Sequence, residues 1–135
     1  MIVGIGLDLV DIPRIARLLA AQGERAMARL FTEGEAEYAR ARPEPARHLA
    51  ARFAAKEAAY KALAGTEHAR GIGWRDIEVA SAWDGRPLLV LHGRARARAD
   101  ELGVVRAHLT LTHAEAVAGA MVVLEAEALP VADPR

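Results

Sequence analysis

The fold of this chain is decided by the segment Arg52-Phe53-Ala54-Ala55-Lys56-Glu57-Ala58-Ala59-Tyr60-Lys61-Ala62-Leu63-Ala64-Gly65. Alanine dominates the segment and it contains no β-branched residue, so we predict a helix that ends at Gly65. Pro43 and Pro45 lie upstream. Because proline is tolerated only in the first turn of a helix, we expect the helix to begin near them.

One face of this predicted helix carries a carboxylate among apolar side chains. At a period of 3.6 residues, the face contains Leu49, Phe53, Glu57, Tyr60 and Ala64. The pattern therefore predicts that Glu57 faces the core, where a carboxylate is costly unless it is paired or binds a cation. An ion pair with Lys61, one turn later, is the simplest explanation, and a bound cation is the alternative.

Length and composition restrict the class of protein. The 135 residues suffice for one domain that buries about two-thirds of its unfolded surface. Lys+Arg and Asp+Glu both number 18, so no net charge attracts nucleic acid or a membrane. The absence of cysteine excludes disulfides, thiolate metal sites and a cysteine nucleophile. With no signal peptide and no stretch long enough to span a bilayer, we expect a soluble cytoplasmic protein.

The first strand, from Ile2 to Val10, has two very different faces. One face contains Val3, Ile5, Leu7 and Leu9, and we predict that it is buried in the core. The other contains Gly4, Gly6 and Asp8, and glycines inside a strand indicate that another backbone or a ligand approaches closely. Two interpretations stay open: the glycines accommodate a packed helix, or they leave room for a ligand beside Asp8.

A second helix should start at Asp11 and Pro13 and end at Gly23. Arg14 and Arg17 lie one turn apart on it and can face outward together. Such a basic segment is usually a solvated face, and the alternative is that it docks an acidic partner.

The remaining elements complete an α+β fold: a small antiparallel sheet packed with one long and several short helices in a single domain. A capping box at Thr32 and Glu35 opens a short helix. The other predicted elements are strands at 77–82 and 88–91 around the Asp84-Gly85 turn, a helix at 94–102, and strands at 104–112 and 117–124. We expect one domain over residues 1–125 and a poorly ordered tail over 126–135.

Asp8 and Glu57 are the two carboxylates in unexpected places, and hard oxygen ligands of this kind suit Mg²⁺. That ion takes one or two protein carboxylates and fills its other positions with water and substrate phosphates. The nearby cations Arg52, Lys56 and Lys61 would repel a bare metal ion but suit a metal–phosphate complex. The residues therefore predict a phosphate-bearing substrate.

Three separated motifs give the chain a family resemblance. They are Gly4-Ile5-Gly6-Leu7-Asp8 followed by Arg14, Arg52-Phe53 followed by Lys56-Glu57-Ala58 and Lys61-Ala62, and Leu111-Thr112-His113. In this order and spacing the set resembles the holo-[acyl-carrier-protein] synthases, the small bacterial 4′-phosphopantetheinyl transferases. The resemblance runs from residue 1 to about Glu125 and includes the Gly85-Arg86-Pro87 turn.

The resemblance implies transfer of the 4′-phosphopantetheine arm of coenzyme A to a serine of apo-acyl carrier protein, with release of adenosine 3′,5′-bisphosphate. It makes Asp8 and Glu57 the Mg²⁺ ligands and, with Lys61, the catalytic residues. The serine proton would go to Glu57 or to a water molecule held by the metal. The residues implied to bind coenzyme A are Arg52, Lys56, Lys61, Pro87, Thr112 and His113.

The resemblance also implies a homotrimer with each active site at a subunit interface, and an acidic helix of the carrier protein docked on Arg14 and Arg17. The chain departs from the family at Thr112, where serine is common, and at the Glu67–Arg70 stretch, which is longer than usual. Two other classes of function stay open. They are a non-enzymatic oligomeric binding module, in which the Glu57–Lys61 pair is structural, and a magnesium-dependent nucleotide phosphohydrolase.

Overall fold

The computed structural model describes residues 1–63 and 70–128. In chain order its elements are β1 (Ile2–Asp11), α1 (Ile12–Gln22), α2 (Glu24–Leu30), α3 (Glu33–Arg40), α4 (Pro45–Leu63), a 3-10 turn (Trp74–Asp76), β2 (Ile77–Ser81), β3 (Pro87–Leu91), α5 (Gly93–Leu102), β4 (Val104–His113) and β5 (Val117–Ala126). The predicted helix end at Gly65, the stretch 67–69 and the tail from 129 onward lie outside the described residues. Of the helices described, none combines the length and apolar character needed to cross a membrane.

The strands form a three-stranded sheet in the order β1-β5-β4 and a separate β2-β3 hairpin, both antiparallel. The long helix α4 packs across the three-stranded sheet and also contacts α1, α3 and β2. This arrangement confirms the predicted α+β class with a small antiparallel sheet.

The local signals in the sequence mark the ends of several elements correctly, but they did not predict α2 as a separate helix. α4 begins at Pro45. Gly23, with φ of 54°, ends α1, and Gly103, with φ of 74°, ends α5 in the left-handed region that favours glycine. The capping box is present, because the Thr32 N–H donates to Glu35 Oε1 at 2.8 Å and the Glu35 N–H donates to Thr32 Oγ1 at 3.2 Å.

The glycines of β1 allow α4 to lie directly on the strand. A Cβ atom added at Gly6 would be 1.7 Å from the carbonyl oxygen of Ala58, and one added at Gly4 would be 2.2 Å from that of Ala62. No side chain fits between these two backbones. Of the two interpretations of the glycine face, helix packing is therefore the correct one for Gly4 and Gly6.

The prediction that Ile5, Leu7 and Leu9 face the core is wrong. These three side chains are 56–68% exposed, and Val3 is only half-buried. Because side chains alternate along a strand and α4 occupies the glycine face, the apolar side chains of β1 must point away from it. Met121 lies on β5 and pairs with Leu7 of β1. We use the name outer sheet face for Ile5, Leu7, Leu9 and Met121.

The prediction that Glu57 faces the core also needs correction. Glu57 is half-buried and Tyr60 is exposed, whereas Arg52 and Lys56 are buried. Since α4 is surrounded by the sheet and by other helices, most of its sides are buried, and the face with Glu57 lies at the edge of the core.

Candidate active site

Asp8 and Lys61 meet where β1 and α4 are in backbone contact. The Lys61 ammonium lies 3.1 Å from Asp8 Oδ1 and donates to the Leu7 carbonyl at 3.0 Å. The predicted ion pair of Lys61 with Glu57 is thus replaced by one with Asp8. The cause is the close approach that Gly6 allows, which brings the end of α4 within reach of β1.

The charges of Asp8 and Lys61 both act on the Glu57 carboxyl. Burial raises the pKa of the Glu57 carboxyl, the negative charge of Asp8 raises it further, and Lys61 and Arg14 oppose the shift. We call Asp8, Glu57 and Lys61 the carboxylate cluster. Across residues 1–63 and 70–128 there is no group of three or more His, Cys, Asp or Glu side chains arranged to hold a metal ion. Two carboxylates alone therefore leave most positions of a cation to other ligands.

An apolar cavity of about 300 Å³ opens beside Glu57. Its wall is made by Tyr60, Ile72, Gly73, Trp74 and Ile77, together with the stem of Lys56. Trp74 is held in place by stacking on Phe53, with ring centres 4.9 Å apart.

A second cavity, of about 140 Å³, lies on the other side of α4 and is lined by positively charged side chains. We call it the cationic cavity. It is lined by Tyr38, Arg47, His48, Ala51, Arg52, Ser81, Gly85, Pro87, Leu111, Thr112 and His113. Four of the residues predicted to bind coenzyme A, namely Arg52, Pro87, Thr112 and His113, therefore lie around one space.

Among the described residues no carboxylate lines the cationic cavity, although Arg47 Nη1 pairs at 3.2 Å with Glu44 Oε2 from outside that lining. Burial, followed by the charges of Arg47 and Arg52, lowers the pKa of His48. Arg52 is buried over the ring of Tyr38, at 3.8 Å from its centre. In the described residues, the buried Nε atoms of Arg47 and Arg52 have no hydrogen-bond partner. A site of this kind suits an anion with several acceptor oxygens, such as a phosphate.

Lys56, which the family resemblance implied to bind coenzyme A, does not line the cationic cavity with Arg52, Pro87, Thr112 and His113. Its ammonium is fully buried, 2.7 Å from Glu35 Oε1, and it donates to the carbonyls of Trp74, at 2.8 Å, and Ile77. Glu35 also accepts a hydrogen bond from the Val79 N–H at 2.9 Å. These contacts tie α3, α4 and β2 together and leave the ammonium no free surface to offer coenzyme A. Lys56 is a structural residue.

The carboxylate cluster and the cationic cavity do not meet within one chain. The lining of the cationic cavity includes none of Asp8, Glu57 and Lys61. Arg52 and Glu57 are five residues apart on α4, which places them about 140° apart around the helix and roughly 7.5 Å apart along it. The structure thus divides the residues predicted to form one site into two half-sites.

The sequence reasoning missed Tyr38, Arg47 and His48 in the cationic cavity. A signal was present, because residues 40–52 contain four arginines and a single acid, Glu44. The predicted docking residues Arg14 and Arg17 are both exposed on α1, where Arg17 lies 3.9 Å from Asp11 Oδ2.

Known proteins share this sequence and fold. Residues 4–120 match the model of the 4′-phosphopantetheinyl transferase superfamily. A holo-[acyl-carrier-protein] synthase of Alkalilimnicola ehrlichii is 52% identical over 126 residues, which are 93% of this chain and 98% of that protein. The holo-[acyl-carrier-protein] synthase structure from Neisseria meningitidis has a TM-score of 0.81 at 31% identity and covers 93% of this chain and 99% of that one. One from Bacillus anthracis, solved in complex with CoA (3′,5′-ADP), has a TM-score of 0.75 at 34% identity, over 94% of this chain and 99% of that one.

The family model covers most of the chain, and the relatives match it over nearly their whole length. The strands, the long helix and the residues of both half-sites lie almost entirely inside the matched region. The chain therefore belongs to the 4′-phosphopantetheinyl transferase superfamily.

Proposed function

We infer that this chain is a holo-[acyl-carrier-protein] synthase. It transfers the 4′-phosphopantetheine group of coenzyme A to a serine of apo-acyl carrier protein and releases adenosine 3′,5′-bisphosphate. The observation that carries this conclusion is the end-to-end match to proteins of that name, at 52% identity over 93% of the chain. The two half-sites supply the charges that the reaction needs.

The carboxylate cluster is the proposed Mg²⁺ site, with Asp8 and Glu57 as ligands. Their oxygen atoms fit a hard cation. Burial and the neighbouring Asp8 raise the pKa of Glu57 more than Lys61 and Arg14 lower it, and a cation bound between the two carboxylates would relieve both effects. When bound, the metal would neutralise and orient the pyrophosphate of coenzyme A. Lys61 is half-exposed, so its ammonium can turn from Asp8 to a substrate phosphate.

In the proposed reaction the serine Oγ attacks the phosphorus that carries the pantetheine. The new P–O bond replaces the one to the adenosine 5′-phosphate oxygen, which leaves as part of adenosine 3′,5′-bisphosphate. Glu57 is the chain's own candidate to accept the serine proton, and a water molecule held by the metal is the alternative. Lys61 stabilises the charge that develops on the phosphate oxygens.

The cationic cavity is the proposed seat of the 3′-phosphate of coenzyme A. Arg47, Arg52, His48 and His113 surround it, and the two unpartnered guanidinium Nε atoms are donors without an acceptor among the described residues. An anion there would also relieve the repulsion that contributes to the lowered pKa of His48. Pro87 and Thr112 complete the wall.

A homotrimer would join the two half-sites. The exposed apolar side chains of the outer sheet face need a cover, and further copies of this chain are the proposed one. In such a trimer the carboxylate cluster of one subunit would face the cationic cavity of its neighbour. Light scattering should give the mass of three chains for the parent and a smaller mass for Leu7→Glu, and a monomeric parent would contradict this part of the proposal.

The carrier protein is proposed to dock on α1. Arg14 and Arg17 are exposed there, and Arg14 contributes to the electric field at Glu57, so the docked serine would arrive beside the carboxylate cluster. We propose that the reaction takes place in the cytoplasm.

Intact-mass analysis of apo-acyl carrier protein tests the function directly. After incubation with the chain, coenzyme A and Mg²⁺, the carrier should gain the mass of one phosphopantetheine group. A carrier with its acceptor serine changed to alanine is the matched control and should gain nothing. Cleavage of coenzyme A without any carrier would instead identify a phosphohydrolase, and no reaction at all would favour a binding module.

A further inference from the structure

Trp83 is the most exposed large apolar side chain in the described residues. It is 96% exposed, in a chain that has only two tryptophans. The other, Trp74, stacks on Phe53 and is part of the packed structure. An indole left almost wholly in water contributes little to folding, whereas tryptophan is enriched at the centres of binding sites.

The backbone that carries Trp83 is held in a defined turn between β2 and β3. The Ala82 N–H donates to the Arg86 carbonyl at 2.8 Å, and the Gly85 N–H donates to the Ala82 carbonyl at 2.9 Å. Asp84 accepts from both the backbone N–H and the Nε of Arg86, at 3.2 and 2.7 Å. Because the turn is already fixed, a ligand that meets the indole does not need to order the backbone first.

The same hairpin forms one wall of the cationic cavity. Ser81, Gly85 and Pro87 line that cavity, and Trp83 is two residues from both Ser81 and Gly85. The 3′-phosphate of coenzyme A and its adenine base are attached to one ribose ring. A 3′-phosphate seated in the cationic cavity therefore brings the base to the mouth of the cavity, beside the turn.

We propose that Trp83 is the surface on which the adenine base of coenzyme A stacks. This proposal rests on the proposed function, since it needs the 3′-phosphate in the cationic cavity. The flat, exposed indole matches a flat base, and the positive cavity matches the phosphate next to it. The base is far from the reacting phosphorus, so stacking should lower the KM for coenzyme A and leave kcat unchanged.

Calorimetry with adenosine 3′,5′-bisphosphate and Mg²⁺ tests the proposal on the full chain. Trp83→Ala should weaken binding about tenfold, within the usual range for loss of one base–aromatic stack, and Trp83→Phe should restore part of the affinity. Leu88→Ala, an exposed apolar side chain on the same hairpin, is the matched control and should bind like the parent. Because Trp83 makes almost no internal contacts, its replacement should leave the fold intact.

Fluorescence gives a direct readout of stacking. In a Trp74→Phe background Trp83 is the single tryptophan. Adenosine 3′,5′-bisphosphate should quench its emission, whereas inorganic pyrophosphate, which has no base, should not.

The outcomes separate this inference from the proposed function. If the parent binds adenosine 3′,5′-bisphosphate and Trp83→Ala binds it equally well, stacking is excluded and the proposed function stands. A parent that does not bind it overturns both. If Trp83→Ala raises only the KM for the carrier protein, Trp83 belongs to a protein-docking surface and the stacking proposal is wrong.

Discussion

Gly6→Ala tests the backbone contact on which the fold and the carboxylate cluster depend. The new Cβ would lie 1.7 Å from the Ala58 carbonyl oxygen and 2.6 Å from its carbonyl carbon, so α4 must move away by more than 1 Å. Both partners are backbone, and neither can rotate aside. Overpacking in a core costs about 1–3 kcal/mol and occasionally more. Val122 is buried on β5 opposite Gly6, and a gap that opens beside it when α4 moves would add to this cost. The lower entropy of the unfolded alanine chain offsets only about 0.4–1 kcal/mol.

We therefore expect Gly6→Ala to lower the free energy of unfolding by about 3 kcal/mol, a large part of the roughly 5–15 kcal/mol of a typical domain. Urea unfolding at one fixed protein concentration measures it. Gly34→Ala is the matched control, because its Cβ would be 3.4 Å from the nearest atom, Glu78 Oε2, an ordinary contact distance. Its change should stay below about 1 kcal/mol.

The same displacement should reduce activity where Gly6→Ala is still folded. Moving α4 lengthens the 3.1 Å contact between Lys61 and Asp8 and carries Glu57 away from its position. A misplacement of about 1 Å can cost about 100-fold in rate. An unfolding free energy within about 0.5 kcal/mol of the parent, or parental kcat, would refute the reasoning.

Four further predictions concern single side chains. Asp8→Ala should abolish transfer in the intact-mass assay with an unchanged circular dichroism spectrum, and retained activity would exclude Asp8 as a metal ligand. Because burial and Asp8 raise the pKa of Glu57, the folded chain loses stability as pH rises through that raised pKa. Glu57→Gln should remove this loss, although the variant should be inactive. In EDTA its Tm should therefore exceed the parental Tm, by an amount that grows between about pH 4 and pH 7. Equal Tm values for the two proteins at every pH would contradict this. Lys56→Met should lower the free energy of unfolding in urea by about 3–5 kcal/mol, because it leaves the buried Glu35 carboxylate without its cation. The double variant Lys56→Met, Glu35→Met should recover part of this loss. A Lys56→Met variant as stable as the parent would show that the buried ion pair does not stabilise the fold. Arg17→Glu should raise the KM for carrier protein, with less effect of added salt and an unchanged KM for coenzyme A, and parental kinetics at low salt would remove Arg17 from the docking surface.

Local sequence signals predicted the elements well because they act within a few residues. The capping box at Thr32, the glycines after α1 and α5 and the Asp84-Gly85 turn each satisfy backbone groups of their own segment. The proline at the start of α4 acts as locally, because it has no N–H to leave unpaired in the first turn. Such signals do not depend on what the segment later packs against. This is why the order of the predicted helices and strands and most of their bounds, to within one or two residues, followed from the sequence, whereas the short helix α2 was not predicted.

The chemistry of the site was also largely present in the sequence. Asp8, Glu57 and Lys61 were singled out by their residue types and motifs, and the structure places Lys61 against Asp8 and Glu57 within the electric field of both. Arg52 and His113 were carried over from the family resemblance, and they share the cationic cavity.

Only the tertiary structure decided which face of each element is covered. Periodicity separates the two faces of β1 but does not say which of them packs against α4. From the sequence alone the apolar face is expected to be buried, whereas in the structure α4 packs on the glycine face. The same holds for charge: Lys56 and Lys61 are both cations on α4, yet one is buried against Glu35 and the other reaches Asp8. The sequence determined most of the elements and singled out the charged groups of the candidate site, because these are local properties. Burial, ion-pair partners and the division into two half-sites depend on contacts between residues far apart in the chain, and only the folded structure determines them.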